Sequence, residues 1–401
     1  VRDLSLGKLL HYTFDQFQEP TENVITNTDL STGWSTSYNK DILWGDFPPP
    51  YGVDSQVVSF VDTDGDGNGY WYCYGDYAPQ NPNTTYTVSV YARTVGASWS
   101  MNAYTADNSE TGRQYTNTVV VPGDGNWHRI VFDPFTTPSN TTSDSLSFRF
   151  PTIPANQRCW LCAPQMEAKS YATPFVNGTR GGTIRDSSSQ GNDAPLELTK
   201  TPRWVEDGMV GKGCYLFDGS GTSDGAITGN YISVNPDITD TRKYPEGVTY
   251  SFWLNIDEDS VDRQSLFFGA STLLHIEIYS ASRNFRTEAA VNGYSFGSST
   301  FPNSVRGRWS HFTIVFVTSE PNRPVRWYQD GVLFSTGQLG TDYFWFSEIG
   351  RSTGTTTYTY ANSLKGKLDD FRIYATALSA DEVMELYRQR ASIDSQGNLV
   401  C

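Results

Sequence analysis

The chain has 401 residues and a formal net charge of −15, and charged residues make up 18% of it, against roughly 25% in an average globular protein. That charge repels a phosphate backbone, and no Lys/Arg stripe interleaved with aromatics offsets it, so nucleic acid is argued against as a partner. Helices need Lys, Glu and Arg on their outer faces; a chain short of charge, with 35 Gly, 20 Pro and 14% aromatic residues, reads as all-β.

No apolar run approaches the roughly 20 residues needed to span a bilayer, so no membrane insertion is expected. No signal-peptide pattern is seen, and a start at Val1 fits either a removed leader or a trimmed end. At this length two domains are expected. The first strand candidate is Leu10-His-Tyr-Thr-Phe-Asp15. A Pro-rich loop, Trp44-Gly-Asp-Phe-Pro-Pro-Pro-Tyr51, follows. Short strands then recur between residues 57 and 160 at roughly ten-residue spacing, separated by Gly/Pro/Asn/Asp clusters, which predicts a sandwich or jelly roll. Arg158-Cys-Trp-Leu-Cys-Ala163 reads as a strand, where a spacing of three sends Cys159 and Cys162 to opposite faces rather than to one metal or redox centre. Residues 161–177 read as an exit strand and linker.

A second series of strands starts near Gly213. It includes 214–217, 231–234, 248–255, 273–279, 309–316, 325–328 and 368–374, and Asp330-Gly331 marks a two-residue hairpin turn. One helix is predicted: Ser379-Ala-Asp-Glu382 is a capping box, followed by Val383, Leu386, Tyr387 and Arg390 at helical spacing. The fold class expected is two antiparallel β-sandwich (jelly-roll) domains with one short C-terminal helix.

Several phrases between about 180 and 390 resemble the laminin-G-like, concanavalin A-like modules. They are Gly213-Cys-Tyr-Leu-Phe-Asp-Gly219, Tyr250-Ser-Phe-Trp-Leu254, Arg308-Trp-Ser-His-Phe312, Trp327-Tyr-Gln-Asp-Gly-Val332 and Gly366-Lys-Leu-Asp-Asp-Phe-Arg-Ile-Tyr374. In that family an opening strand is followed closely by a phrase seen here as Arg185-Asp-Ser-Ser-Ser-Gln-Gly-Asn192, yet the matching strand sits far upstream at 10–15. The resemblance therefore implies an insertion: residues 1–23 plus 178–392 form the laminin-G-like sandwich, 24–177 an inserted jelly roll, and 393–401 a polar tail. The alternative is that 9–14 is a strand of the N-terminal domain. The inserted block resembles carbohydrate-binding-module jelly rolls in Asn27-Thr-Asp-Leu-Ser-Thr-Gly-Trp34, in 86–92 and in Trp127-His-Arg-Ile130. The join 163–175 resembles linkers of bacteriophage structural proteins.

These resemblances imply a virion structural or display protein, a capsid decoration, head-fibre or tail-fibre component at the virion surface. Its partners would be other virion proteins of the capsid or tail, further copies of itself as a homo-oligomer, and cell-surface glycans. The alternative is a secreted bacterial lectin or a carbohydrate-binding accessory protein. Acidity would keep densely displayed copies soluble.

Sugar contact needs aromatic faces. Tyr70, Tyr72 and Tyr74 alternate onto one face of their strand, with Trp71 and Cys73 on the other, and Trp44 is a second candidate. Aromatic rows also fill subunit interfaces. Asp62, Asp64 and Asp66 imitate the first half of a calcium loop, but Cys73 stands where the bidentate Glu would be, leaving a solvated hairpin tip or a weak calcium site. No catalytic centre is expected: Glu277 is a lone acid, Glu382 and Glu385 belong to the helix, Asp369 and Asp370 alternate across a strand, and the four histidines are scattered.

Overall fold

A computed structural model describes residues 7–17, 19–31, 34–37, 40–62, 69–73, 78–105, 114–141, 145–152, 156–220, 229–261, 263–269, 275–279, 284–288, 298–339, 343–351, 363–389, 392–393 and 399–400. The chain divides into two compact units. One is Val1–Pro20 with Gly181–Cys401, the other Thr21–Arg180.

The first unit is a sandwich. Among the described residues its larger sheet has eight strands, running Arg203–Val205, Cys214–Asp218, Lys365–Tyr374, Val248–Ile256, Ser310–Phe316, Pro324–Gln329, Val332–Gln338, with Lys8–Tyr12 also on Lys365–Tyr374. The facing sheet runs Ile232–Ser233, Glu348–Ile349, Arg263–Phe268, His275–Tyr279, Asn284–Glu288, Ser298–Thr300. Alternate residues of both sheets meet in a core where Phe252, Phe267, Phe346 and Phe371 interlock with Tyr250 and Phe312. Such ring pairs add to the apolar burial that holds the layers together.

The strand Lys8–Tyr12 pairs antiparallel with the far end of the chain, Leu10 opposite Ile373 and Tyr12 opposite Phe371. Leu10, Tyr12 and Phe14 are buried in the core of this unit. The phrase at 185–192 wraps the strand. Asp186 accepts from the His11 amide at 2.9 Å, the Ser187 amide donates to His11 O at 2.8 Å, and Asn192 Nδ2 donates to Leu9 O at 2.9 Å.

The second unit stacks two six-stranded sheets, counted among the described residues. One runs Val119–Val121, Trp99–Thr105, Leu146–Thr152, Gly69–Cys73, Trp34–Ser37, with Gln114–Tyr115 beside Trp99–Thr105. The other runs His128–Val131, Thr85–Thr94, Arg158–Glu167, Val58–Asp62, Lys40–Trp44, with Phe135–Thr136 beside Thr85–Thr94. Cys159 lies in the core between them, while Cys162 joins a cluster on the other face with Val57 and Ala163. Burial pushes the Cys162 thiol up to about 12 and the Cys159 thiol higher still, so neither is a thiolate at neutral pH.

The unit is closed at its base, where Glu22 pairs with Thr179 and Thr21 with Arg180. The sequence drew this boundary at 24–177. The structure draws it at 21–180, because the short two-stranded ribbon belongs to the insert.

The helix Ala380–Arg388 begins at the expected capping box, with the Glu382 amide on Ser379 Oγ and the Ser379 amide on Glu382 Oε2. Val383 and Leu386 bury against Val315, Tyr328 and Tyr374 of the larger sheet. Asp330 and Gly331 both take positive φ, 51° and 78°, as a type I′ turn requires. One local expectation is corrected. Asp369 and Asp370 do not simply alternate across the sheet, because the ladder slips beside Asp370, which has φ 49°. The bulge returns Phe371 to the core and keeps both acids out of the apolar interior.

Candidate functional site

The sequence-derived sugar contacts fall on both sheets of the second unit. Register puts positions 70 and 72 on the face shared with Arg149 and Ser147, while positions 71 and 73 pair with the core residues Phe148 and Leu146. Tyr74 lies outside the described residues. Trp44 is not in a loop but ends the edge strand Lys40–Trp44 of the other sheet, opposite Val58, and is 42% exposed. Trp44 and the tyrosine row therefore do not share a sheet. Asp62 ends the strand Val58–Asp62, and Asp64 and Asp66 lie outside the described residues. Among the described residues, no group of three or more His, Cys, Asp or Glu side chains is placed to hold a metal ion.

The Pro-rich loop is pinned rather than loose. Asp46 Oδ2 accepts from Ser59 Oγ at 2.8 Å and from Trp160 Nε1 at 3.1 Å, and Trp127 Nε1 donates to Pro48 O at 3.0 Å. Phe47 and Trp160 sandwich the Arg93 guanidinium, 3.9 and 4.5 Å from the two ring centroids. These rings already serve the fold as a cation–π stack.

A polar face of different character lies on the smaller sheet of the first unit. Strand period two turns Ile276, Ile278, Phe267 and Ile349 to the core, and Arg263, Ser265, Phe268, Glu277, Tyr279 and Glu348 to the other side. A register slip between Ser265 and Phe267 makes room for one extra residue and brings Phe268 onto the same face as Ser265. Glu277, fully buried, is held in a two-point grip by Arg263, Nε to Oε2 at 2.8 Å and Nη2 to Oε1 at 2.7 Å. One strand pair further along, Glu348 is ion-paired with Arg351, whose guanidinium stands over Tyr231 at 5.1 Å and Phe268 at 6.0 Å. Tyr231 in turn donates to Glu197 Oε1 at 3.1 Å, and Lys200 pairs with Glu197 at 2.7 Å. Burial is the largest cause raising the Tyr231 hydroxyl pKa.

This face carries three buried polar atoms that meet no hydrogen-bond partner: Ser265 Oγ, Glu348 Oε2 and Arg351 Nε. Leaving such an atom unsatisfied costs about 1–3 kcal/mol. Sequence reading singled out Glu277 alone. Its neighbours were invisible because Arg263 and Ser265 come from one strand, Glu348 from another 71 or more residues on, and the bulge that realigns Phe268 has no sequence mark.

Other titratable groups are engaged in the fold. Asp370 binds His11 Nε2 at 2.8 Å and Arg372 at 2.8 Å; burial works to raise its carboxyl, and the Arg372 charge together with the hydrogen bond to His11 outweighs it and holds it far below the usual range. Asp369 accepts the Met209 and Val210 amides at 2.7 and 2.8 Å, and burial is the main cause pushing its carboxyl upward. His311 Nε2 meets Ser251 Oγ at 2.9 Å beneath Trp253, and His128 pairs with Asp124 on an edge strand.

A family model described as the concanavalin A-like lectin/glucanases superfamily matches residues 224–384. Among solved structures, domain 4 of an extracellular GH43 arabinanase from Geobacillus stearothermophilus, in complex with arabinotriose, is similar at 18% identity and TM-score 0.37, over 50% of this chain and 91% of that one. The botulinum neurotoxin serotype G binding domain is similar at 16% identity and TM-score 0.38, over 53% of this chain and 48% of that one. CBM22-1–GH10 modules of a Clostridium thermocellum xylanase, complexed with xylohexaose, are similar at 15% identity and TM-score 0.29, over 42% of this chain and 29% of that one. A search of curated proteins returns no match.

Proposed function

We propose that the protein is a non-enzymatic, lectin-like display protein that holds a glycan on the polar face of the smaller sheet of its first unit. The observation that carries this reading is the set of three unpartnered atoms beside two aromatic rings. An orphan carboxylate oxygen needs a donor, an orphan guanidinium N–H needs an acceptor, and Ser265 takes either. Vicinal sugar hydroxyls both donate and accept, and because Phe268 and Tyr231 are 6% and 9% exposed, a glycan reaches these groups only once the side chains over them, Arg351 among them, move aside. The absence of catalysis belongs to the proposal and rests on the state of the acids. Glu277 is locked to Arg263 and Glu348 to Arg351, and their strands are separated by one other, about 10 Å in strand spacings.

The setting in this proposal is the virion surface, on capsid or tail, as a homo-oligomer. A net charge of −15 keeps densely displayed copies apart, and the 163–175 join resembles phage linkers. A free extracellular lectin is the competing setting, and copurification with particles separates the two. The binding reading is tested on a glycan array with the intact chain, Ser265→Val, and Glu348→Leu/Arg351→Met, which removes both members of that pair. A glycan signal is expected from the intact chain and a loss of tenfold or more in each variant at unchanged melting temperature, with the bound glycan recovered uncleaved. No signal from the intact chain, or full signal from both variants, overturns it.

A further inference from the structure

Just past the strand Lys8–Tyr12, Phe14 takes φ 56°, a left-handed conformation that is rare for a bulky residue. Two contacts hold it there. Trp204 Nε1 donates to Phe14 O at 2.6 Å, and the Phe14 ring meets Tyr215 edge-on with 5.1 Å between centroids. Between the segment 13–16 and the segment 184–187 of the same unit lies a cleft of about 50 Å³. Its buried lining is Phe14, Ile184 and Tyr215, exposed by 3%, 3% and 1%. Its exposed lining, at the mouth, is Gln16, Arg185 and Ser187.

The Tyr215 hydroxyl is buried in this lining and meets no hydrogen-bond partner among the described residues. An orphan of that kind costs about 1–3 kcal/mol. Burial raises its pKa, so the group stays a neutral hydroxyl able to donate. Asp15, also in the lining, accepts the Lys212 amide on Oδ1 at 2.6 Å and keeps a second oxygen as an acceptor. These groups narrow the occupant. One carboxylate is too few to hold a metal ion. An anion would meet Asp15, while Arg185 is already paired with Asp193 at 2.8 Å. A neutral group is left. It must offer an acceptor to Tyr215, a donor to Asp15 and a small apolar end to Phe14 and Ile184. Its size is limited as well, because a cavity that admits benzene measures roughly 150 Å³. A sugar ring therefore stays outside, and only a substituent enters.

We propose that this cleft takes the acetamido group of an N-acetylated amino sugar. The carbonyl oxygen accepts from Tyr215 Oη, the N–H donates to Asp15, and the methyl packs on Phe14 and Ile184. The ring remains at the mouth, where Gln16, Arg185 and Ser187 meet its hydroxyls. A hydroxymethyl group would serve Tyr215 but leave the apolar wall uncovered. The site shares no residue with the polar face of the smaller sheet and does not rest on the reading given to that face.

The experiment is saturation-transfer NMR and titration of the full chain with the methyl glycosides of N-acetylglucosamine, glucosamine and glucose. The strongest saturation is expected at the acetyl methyl protons, with the other two sugars at least tenfold weaker. Tyr215→Phe removes only the orphan hydroxyl, so it should weaken the N-acetylated sugar fivefold or more at an equal or higher melting temperature. Ser187→Trp, a change at the exposed mouth, should abolish the methyl signal in a folded chain. Ser265→Val should leave it untouched, which separates this site from the polar face. Equal binding of the three sugars, no saturation from any of them, or full affinity in both Tyr215→Phe and Ser187→Trp overturns the proposal. Loss of the signal in Ser265→Val assigns it to the polar face and overturns the proposal too. Tighter binding of N-acetyl-lysine methylamide than of the sugar overturns the sugar as the source of the acetamido group.

Discussion

Arg263→Met tests the pair on the polar face most sharply. Glu277 has no exposed surface in its side chain and Arg263 keeps 16%, so removing the guanidinium strands a carboxylate away from water. Breaking one partner of such a pair costs about 3–5 kcal/mol, whereas replacing both by apolar residues of similar size is near neutral or stabilising by roughly 1–4 kcal/mol. Arg263→Met is therefore expected to lower the melting temperature of the first unit by roughly 6–20 °C, and Arg263→Met/Glu277→Leu to recover most of that loss. The pH dependence has a fixed sign. Without Arg263, burial raises the folded carboxyl above its unfolded value, so the variant gains stability as pH falls and its deficit shrinks between about pH 7 and pH 5. Urea unfolding of the four proteins of the cycle at both pH values measures this. The reasoning is refuted if Arg263→Met costs less than about 1 kcal/mol and adds independently to Glu277→Leu.

Burial holds the His11 imidazole below its ordinary value against the pull of Asp370. The unfolded chain therefore binds the extra proton first, and the first unit loses stability as pH falls below about 6.5; His11→Gln flattens that slope in urea midpoints. The Asp370 contribution persists to lower pH and is lost only below about pH 4, as acid unfolding of the His11→Gln variant will show. Gly247 has φ 121°, and a Cβ there would lie 2.3 Å from Phe316 O and 2.7 Å from Ala377 Cβ. Gly247→Ala is expected to cost about 2–4 kcal/mol in thermal melts, while Gly181→Ala, with nothing within 4 Å, is silent. Because Thr21 and Glu22 pair with Arg180 and Thr179, the ends of the second unit are adjacent. Joining Pro20 to Gly181 through a short Gly/Ser linker should leave a folded first unit, seen as a cooperative melt with Trp253 and Trp327 still shielded from quencher.

What was legible in the sequence is what short-range chemistry dictates. Alternating apolar residues mark the strands, Ser379 and Glu382 start the helix, Asp330-Gly331 turns the hairpin, and a spacing of three parts Cys159 from Cys162. Each of these is decided within a few residues, by a side-chain period or a backbone preference. Period two says which residues share a face, but not which sheet the face belongs to or what lies opposite. Trp44 and the tyrosine row were two separate candidates, and positions 44 and 70–72 stand on different sheets. Glu277 looked solitary until folding set Arg263 diagonally beside it on the neighbouring strand. Slips at Asp370 and between Ser265 and Phe267 shifted the later residues of their strands by one place, a change that flips every following side chain and that no local pattern announces. His11 and Asp370 are 359 residues apart yet joined at 2.8 Å, because a strand finds its partner by burying a face and satisfying its main chain, at any distance along the sequence.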